Sequence, residues 1–151
     1  MIHIFDGAMG TMLQDAGLQP GDCPESFNLE KPEIVKQIHR SYISAGATIL
    51  ETNTFGANRI KLTHYGLQNQ VSIICQKAVD AAKAACRPET RIAGSIGPTG
   101  KLLHPLGDLS FDEAYDVFCE QIRALDAAGV DLLLIETIID IQEMRAALLA
   151  A

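Results

Sequence analysis

The chain lacks any dense run of lysine and arginine. Its 12 basic and 19 acidic residues leave a formal net charge of -7. With no cluster able to neutralise a phosphate backbone, a nucleic-acid partner is not expected. A small anion is still admissible, because backbone amides can hold one locally against an unfavourable overall charge. A long apolar run is also missing: Val130 to Ile135 carries Asp131 inside it and cannot span a bilayer. Residues 1–5 are too short for a signal peptide and have no charged leader region. Cys23, Cys75, Cys86 and Cys119 show neither CxxC spacing nor the density of a small secreted scaffold. That usage fits a reducing compartment, and a cytoplasmic location is the expectation.

Several familiar motifs are absent too. Gly7-Ala8-Met9-Gly10 does not have GxGxxG spacing, and no G-x-S-x-G elbow occurs. Gly94 to Lys101 looks like a P-loop only superficially, because its register is wrong and Pro98 stands where a donating amide is needed. No set of cysteines and histidines has zinc-ligand spacing. Cys75, Cys86 and Cys119 read as small core side chains, the first two facing one packed layer of an alanine-rich helix. His39 falls inside a helix, while Cys23 and His104 sit in loops without supporting spacing.

What the chain does have is a polar break at the ends of four hydrophobic segments. Asp6 ends the first, Thr52 and Asn53 the second, Ser95 the third and Glu136 the fourth. These breaks recur roughly forty residues apart, as strand-plus-helix units of a parallel sheet would place them along one edge. The expected strands are His3 to Phe5, Ala47 to Leu50, Arg91 to Ser95 and Val130 to Ile135. The aliphatic run of the last fits a sheet covered on both faces.

Helices are expected between them. A short one spans Thr11 to Asp15, and the polar loop Gly17 to Glu25 is long enough to cover a site mouth. The next starts near Pro32, shows Ile34, Ile38, Tyr42 and Ala45 on one face, and stops at Gly46. A short helix lies within Ala57 to Tyr65, and a longer one runs from about Gln68 to Cys86. Ser110 and Glu113 form a capping box for a helix whose buried face carries Ala114, Phe118, Ile122 and Leu125; Gly129 ends it. Asp140 and Glu143 offer a second box.

The fold class is therefore α/β with a parallel sheet, although a doubly wound sheet shares the pattern. Four βα units make half of an eight-stranded barrel, which usually needs about 250 residues. Residues 1–151 are accordingly read as the N-terminal half of a larger (β/α)8 domain, incomplete in this chain.

At the sheet edge, Asp6 and Glu136 can hold an ammonium group, orient a hydroxyl or perform acid/base work. Amides near Gly7 can receive a carboxylate. Thr52 offers a hydroxyl, and Asn53 offers both donor and acceptor groups. Together these fit an amino-acid site. Equally, the carboxylates can cap nearby turns while Thr52 and Asn53 satisfy loop backbone.

Four segments carry a specific resemblance: DGAMGT from Asp6, NLEKPEIVKQIHRSYISAGATILETNTFGANRIKLTHYGL from Asn28, GSIGPTGKLLHPLGD from Gly94 and LLLIETIIDIQEMRAALLA from Leu133. They resemble the homocysteine-binding barrel of cobalamin-dependent methionine synthase, within the zinc-dependent homocysteine S-methyltransferases. The resemblance implies that a longer parent transfers a methyl group from methylcobalamin to homocysteine sulfur, with zinc held by three cysteines. It further implies that Asp6 and Glu136 hold the homocysteine amino group. Amides around Gly7 and Ala8 and the Thr52 hydroxyl place its polar end, with Asn53, Phe55 and Ser95 as pocket neighbours. The zinc cysteines belong to later strands, so neither zinc nor methylcobalamin is expected to bind tightly here, no catalytic residue is assigned within the chain, and the chain alone is expected to be inactive. Its implied partners are the remaining barrel half and the folate and cobalamin modules of the parent. Two other readings stand beside this one. The chain can be a non-enzymatic unit that dimerises through exposed sheet edges, or another amino-acid-processing enzyme that uses Asp6 and Glu136 in acid/base catalysis.

Overall fold

The computed structural model describes residues 2–151; Met1, the first residue of the expected 1–151 unit, lies outside them. In chain order the elements are α1 (Met9–Asp15), α2 (Phe27–Glu30), α3 (Pro32–Ala45), β1 (Ile49–Glu51), α4 (Arg59–Thr63), α5 (Val71–Lys83), β2 (Arg91–Ile96), α6 (Phe111–Ala128), β3 (Leu132–Ile135) and α7 (Ile141–Ala150). The strands form one parallel sheet in the order β1-β2-β3, with Ile49 opposite Arg91 and Ala93 opposite Leu132. Strand order follows chain order, and α3 packs on α5, α5 on α6 and α6 on α7. This is a sheet wound in one direction, with no reversal of strand order among the described residues.

The first expected strand is reduced to a bridge between Phe5 and Ile49. The Ile4 amide donates to the Thr48 hydroxyl at 2.9 Å instead of joining a ladder. Pairing nevertheless runs parallel, since the Asp6 amide reaches the Ile49 carbonyl at 3.0 Å. β3 starts two residues later than expected because Val130 closes the end of α6 on the Leu125 carbonyl. Its residues are only half-buried, not covered on both faces, because β3 pairs with β2 alone among the described residues.

α3 begins with Pro32 in its first turn, where no N–H is needed. Its buried side chains are Val35, Ile38, His39 and Ile43; Ile34 and Tyr42 are half-buried and Ala45 is exposed. The stripe is thus rotated by about one position from the face anticipated, with Ile43 in place of Ala45 as the buried residue of the last turn. α6 carries the full capping box at Ser110 and Glu113, buries Ala114, Phe118, Ile122 and Leu125, and stops at Gly129, whose φ of 82° suits a residue without a Cβ. At α7 the second box is absent. Asp140 accepts the Gln142 amide at 2.8 Å, while Glu143 turns inward to accept the Thr99 amide at 2.8 Å and the Thr99 hydroxyl at 2.6 Å. Cys86 lies beyond α5 and is half-buried, so it does not share the Cys75 layer.

Two apolar clusters hold these elements. The larger joins Ile74, Val79, Ile96, Phe118, Leu125 and Ala146 between the sheet and α5 to α7. The smaller packs Leu13, Leu18, Phe27, Val35 and Ile38 around α1 to α3.

Candidate functional site

Side chains alternate along β2. A Cβ on Gly94 would stand 3.0 Å from Leu125 of α6, so the neighbouring Ser95 faces the opposite side. There its hydroxyl donates to Glu136, just past β3, at 2.6 Å. The segment after β1 locks onto the same point. The Ser95 amide donates to the Thr52 hydroxyl at 3.1 Å, and the Thr54 hydroxyl donates to the Ser95 carbonyl at 2.7 Å. Thr54 has then used its only hydrogen, so in the 2.6 Å contact between the two threonine hydroxyls Thr52 is the donor. What Thr52 keeps is an acceptor lone pair and no free hydrogen.

Asn53 is similarly engaged. Its amide nitrogen donates to the Pro24 carbonyl at 2.8 Å and to Asn28 Oδ1 at 3.0 Å, while Asn28 returns a bond to the Asn53 carbonyl. The donor groups anticipated for a ligand at Thr52 and Asn53 thus fasten loops instead. The cause is burial: both residues are almost wholly enclosed, and enclosed donors are paired within the protein.

Asp6 arrives from the first segment. Its Oδ1 accepts the Glu51 amide at 3.1 Å, and its side chain is 1% exposed. Asp6, Gly7, Ala8, Thr52, Asn53, Phe55, Ser95 and Glu136, the eight residues singled out in the sequence, all line one cavity of about 420 Å³. Pro24 and Glu25 join them from the loop expected to cover a mouth.

Glu25 and Glu51 were not anticipated. Glu51 belongs to the same strand-end pattern as Asp6 and Glu136, and its position beside Thr52 was a readable signal. Burial, then the charges of Glu136 and Asp6, push its carboxyl up to about 7. Glu25 gives no comparable signal, because its position depends on how the loop folds back: it is buried and accepts the Gly56 amide at 2.6 Å. It also accepts from the Cys23 thiol at 3.3 Å. Burial, then Glu25, raises that thiol to about 12, and Cys75 likewise rises to about 12, chiefly through burial. Burial and the neighbouring carboxylate thus favour the neutral thiol at both positions. Among the described residues no three His, Cys, Asp or Glu side chains are arranged to hold a metal ion. Among them, too, no helix is long and apolar enough to cross a membrane.

Chemically, the cavity offers carboxylates for a cation and backbone amides near Gly7 and Ala8 for an anion. Phe55 forms an apolar wall, with its ring against Gly97 and the Lys61 ammonium 4.7 Å from the ring centroid. Such a set suits a zwitterion with a short side chain.

Comparison with known proteins points the same way. A family model described as Homocysteine S-methyltransferase matches residues 3–151. Methionine synthase from Mycobacterium leprae (strain TN) is 33% identical over 162 aligned residues, covering 99% of this chain and 13% of the relative. Methionine synthase from Mycobacterium tuberculosis (strain ATCC 25618 / H37Rv) is also 33% identical, with 99% of this chain and 14% of the relative covered. Among solved structures, the metallated form of the homocysteine methyltransferase MmuM from Escherichia coli superposes with a TM-score of 0.84 at 27% identity, over 99% of this chain and 59% of that one. The chain therefore spans about one seventh of the methionine synthases and under two thirds of MmuM.

Proposed function

The chain belongs to the homocysteine S-methyltransferase family, and from that premise we propose that it supplies the amino-acid end of a homocysteine site in a methyltransferase. The observation that carries the reading is the single cavity shared by Asp6, Gly7, Ala8, Ser95 and Glu136. In it Asp6 and Glu136 take the homocysteine ammonium, and the free lone pair of Thr52 accepts one of its hydrogens. Amides near Gly7 and Ala8 receive the carboxylate, and Phe55 shapes the apolar wall along the side chain. Asn53 acts through its bonds to Pro24 and Asn28, and Ser95 acts by aiming Glu136.

The reaction proposed for the whole protein joins the methyl carbon to homocysteine sulfur as the donor's bond to that carbon breaks, with loss of the thiol proton. These residues orient the amino acid so that sulfur meets the donor. Zinc does not fit the side chains described, so the proposal puts its ligands outside residues 1–151 and expects the chain alone to be inactive. Methylcobalamin is the proposed donor, with folate and cobalamin modules as further parts of the protein. The cytoplasm is the proposed location, where the four free thiols stay reduced.

The wider architecture is also part of the proposal. The first four βα units of a (β/α)8 barrel leave two edges for the remaining half. Ile2, Ile4 and Phe5 are exposed at one and Ile139, Ile141, Leu148 and Leu149 toward the other, Ile139 by 93%. The same apolar edges favour self-association as a second reading.

Calorimetric titration of the intact protein with homocysteine tests the site. Glu136→Gln should weaken binding about tenfold or more, as loss of a charge-assisted contact does. Unchanged binding with abolished turnover would replace this reading with direct acid/base catalysis by Glu136.

A further inference from the structure

α3 presents two side chains, one turn apart, beneath the segment that begins at Asp6. Tyr42 donates from its hydroxyl to the Ala8 carbonyl at 3.0 Å, and a Cβ on Gly7 would stand 2.9 Å from its ring. A Cβ at this position would push the Tyr42 ring aside. His39, three residues earlier, is 0% exposed, and neither of its ring nitrogens has a hydrogen-bond partner among the described residues. The carboxylate beside it is that of Asp6, whose Oδ2 lies 3.8 Å from Nδ1.

A buried imidazole always carries at least one N–H, and leaving that donor unpaired is costly. Asp6 has committed Oδ1 to the Glu51 amide, which leaves Oδ2 to answer His39. From this we infer that His39 is a positioning residue for the substrate pocket. It keeps a proton on Nδ1, directs it at Asp6 Oδ2, and so fixes the angle at which Asp6 meets the ligand's ammonium group. Closing the present 3.8 Å gap takes a shift of about 1 Å, to the length of an ordinary charge-assisted bond of about 2.8 Å. Tyr42 holds the adjoining Gly7-Ala8 backbone from the same helix, so α3 sets the geometry of both ends of the zwitterion site. This inference rests on the proposed homocysteine site for its ligand, whereas the His39–Asp6 pairing can be read without any ligand.

The test joins nitrogen NMR of His39 in the intact protein to homocysteine titration of His39→Asn and His39→Leu. Asn can supply an amide donor near the place of Nδ1, and Leu fills the volume without one. We expect Nδ1 to be protonated and its resonance to move in Asp6→Asn. We also expect binding about tenfold weaker in His39→Leu, and within about threefold of the parent in His39→Asn. An Nδ1 without a proton, or equal loss in the two His39 variants, overturns the inference. Should the leucine variant fail to fold, the Nδ1 spectrum and its response to Asp6→Asn still decide. A protonated, Asp6-responsive Nδ1 in a protein that binds no homocysteine would uphold the pairing while removing the proposed ligand.

Discussion

Burial first, and then the charges of Glu136 and Asp6, raise the Glu51 carboxyl from 4.5 to about 7. The folded chain therefore holds a proton on Glu51 between those pH values that the unfolded chain has lost. Its contribution to stability falls as pH rises from 4.5 to 7 and stays unfavourable above. Fully buried, such a displacement is worth about 3 kcal/mol. The carboxyl borders an open cavity, so solvent screening reduces the expected figure to about 1–2 kcal/mol. Glu51→Gln should raise the unfolding free energy by that amount at pH 8 and by almost nothing at pH 4, measured in urea. An equal gain at both pH values would mean that its ionisation is not the cause. At this scale the lining of the cavity was largely legible in the sequence, because Asp6, Thr52, Ser95 and Glu136 stand where apolar runs end. The spending of donor hydrogens was not. That Thr52 donates to Thr54 depends on Ser95, more than forty residues away, taking the Thr54 hydrogen. Local pattern contains no such term.

Among the elements, α6 was the most readable because each local signal agrees with its tertiary place. Its cap, stripe and glycine stop all follow from adjacent residues. Ser110→Ala should lower stability by about 1 kcal/mol, with the amides of the first turn exchanging faster, since the capping acceptor is lost. No change in either measurement would mean that packing alone holds this end. α7 misled for an instructive reason. Asp140 and Glu143 have the spacing of a box, yet the Glu143 carboxylate finds two donors on Thr99, and burial there makes that pairing decisive. The one-position error in the α3 face has a similar origin. His39 is polar and so falls outside any stripe drawn from apolar residues, although it is among the most buried side chains of that helix.

The whole molecule combines an acidic balance with apolar margins. Its parallel architecture was legible because aliphatic runs alternate with helical periods, while the weakness of the first strand depends on the Thr48 hydroxyl replacing a ladder bond. The cysteines are scattered through it, with Cys23, Cys75 and Cys119 buried and Cys86 half-buried. Chain 1–151 that has been stripped of loosely held metal and returned to excess zinc should retain no stoichiometric zinc after gel filtration, with or without homocysteine. One zinc per chain, measured by mass spectrometry, would require a ligand set among side chains that now lie apart.

The contact between Thr99 and Glu143 also ties together distant parts of the chain. The Thr99 amide lies on the loop after β2, yet its hydrogen is held by a carboxylate on α7. Solvent deuterium reaches that hydrogen only when the loop and α7 part. One backbone amide thus serves as a clock for the parting of that loop from the final helix, 44 residues later in the chain.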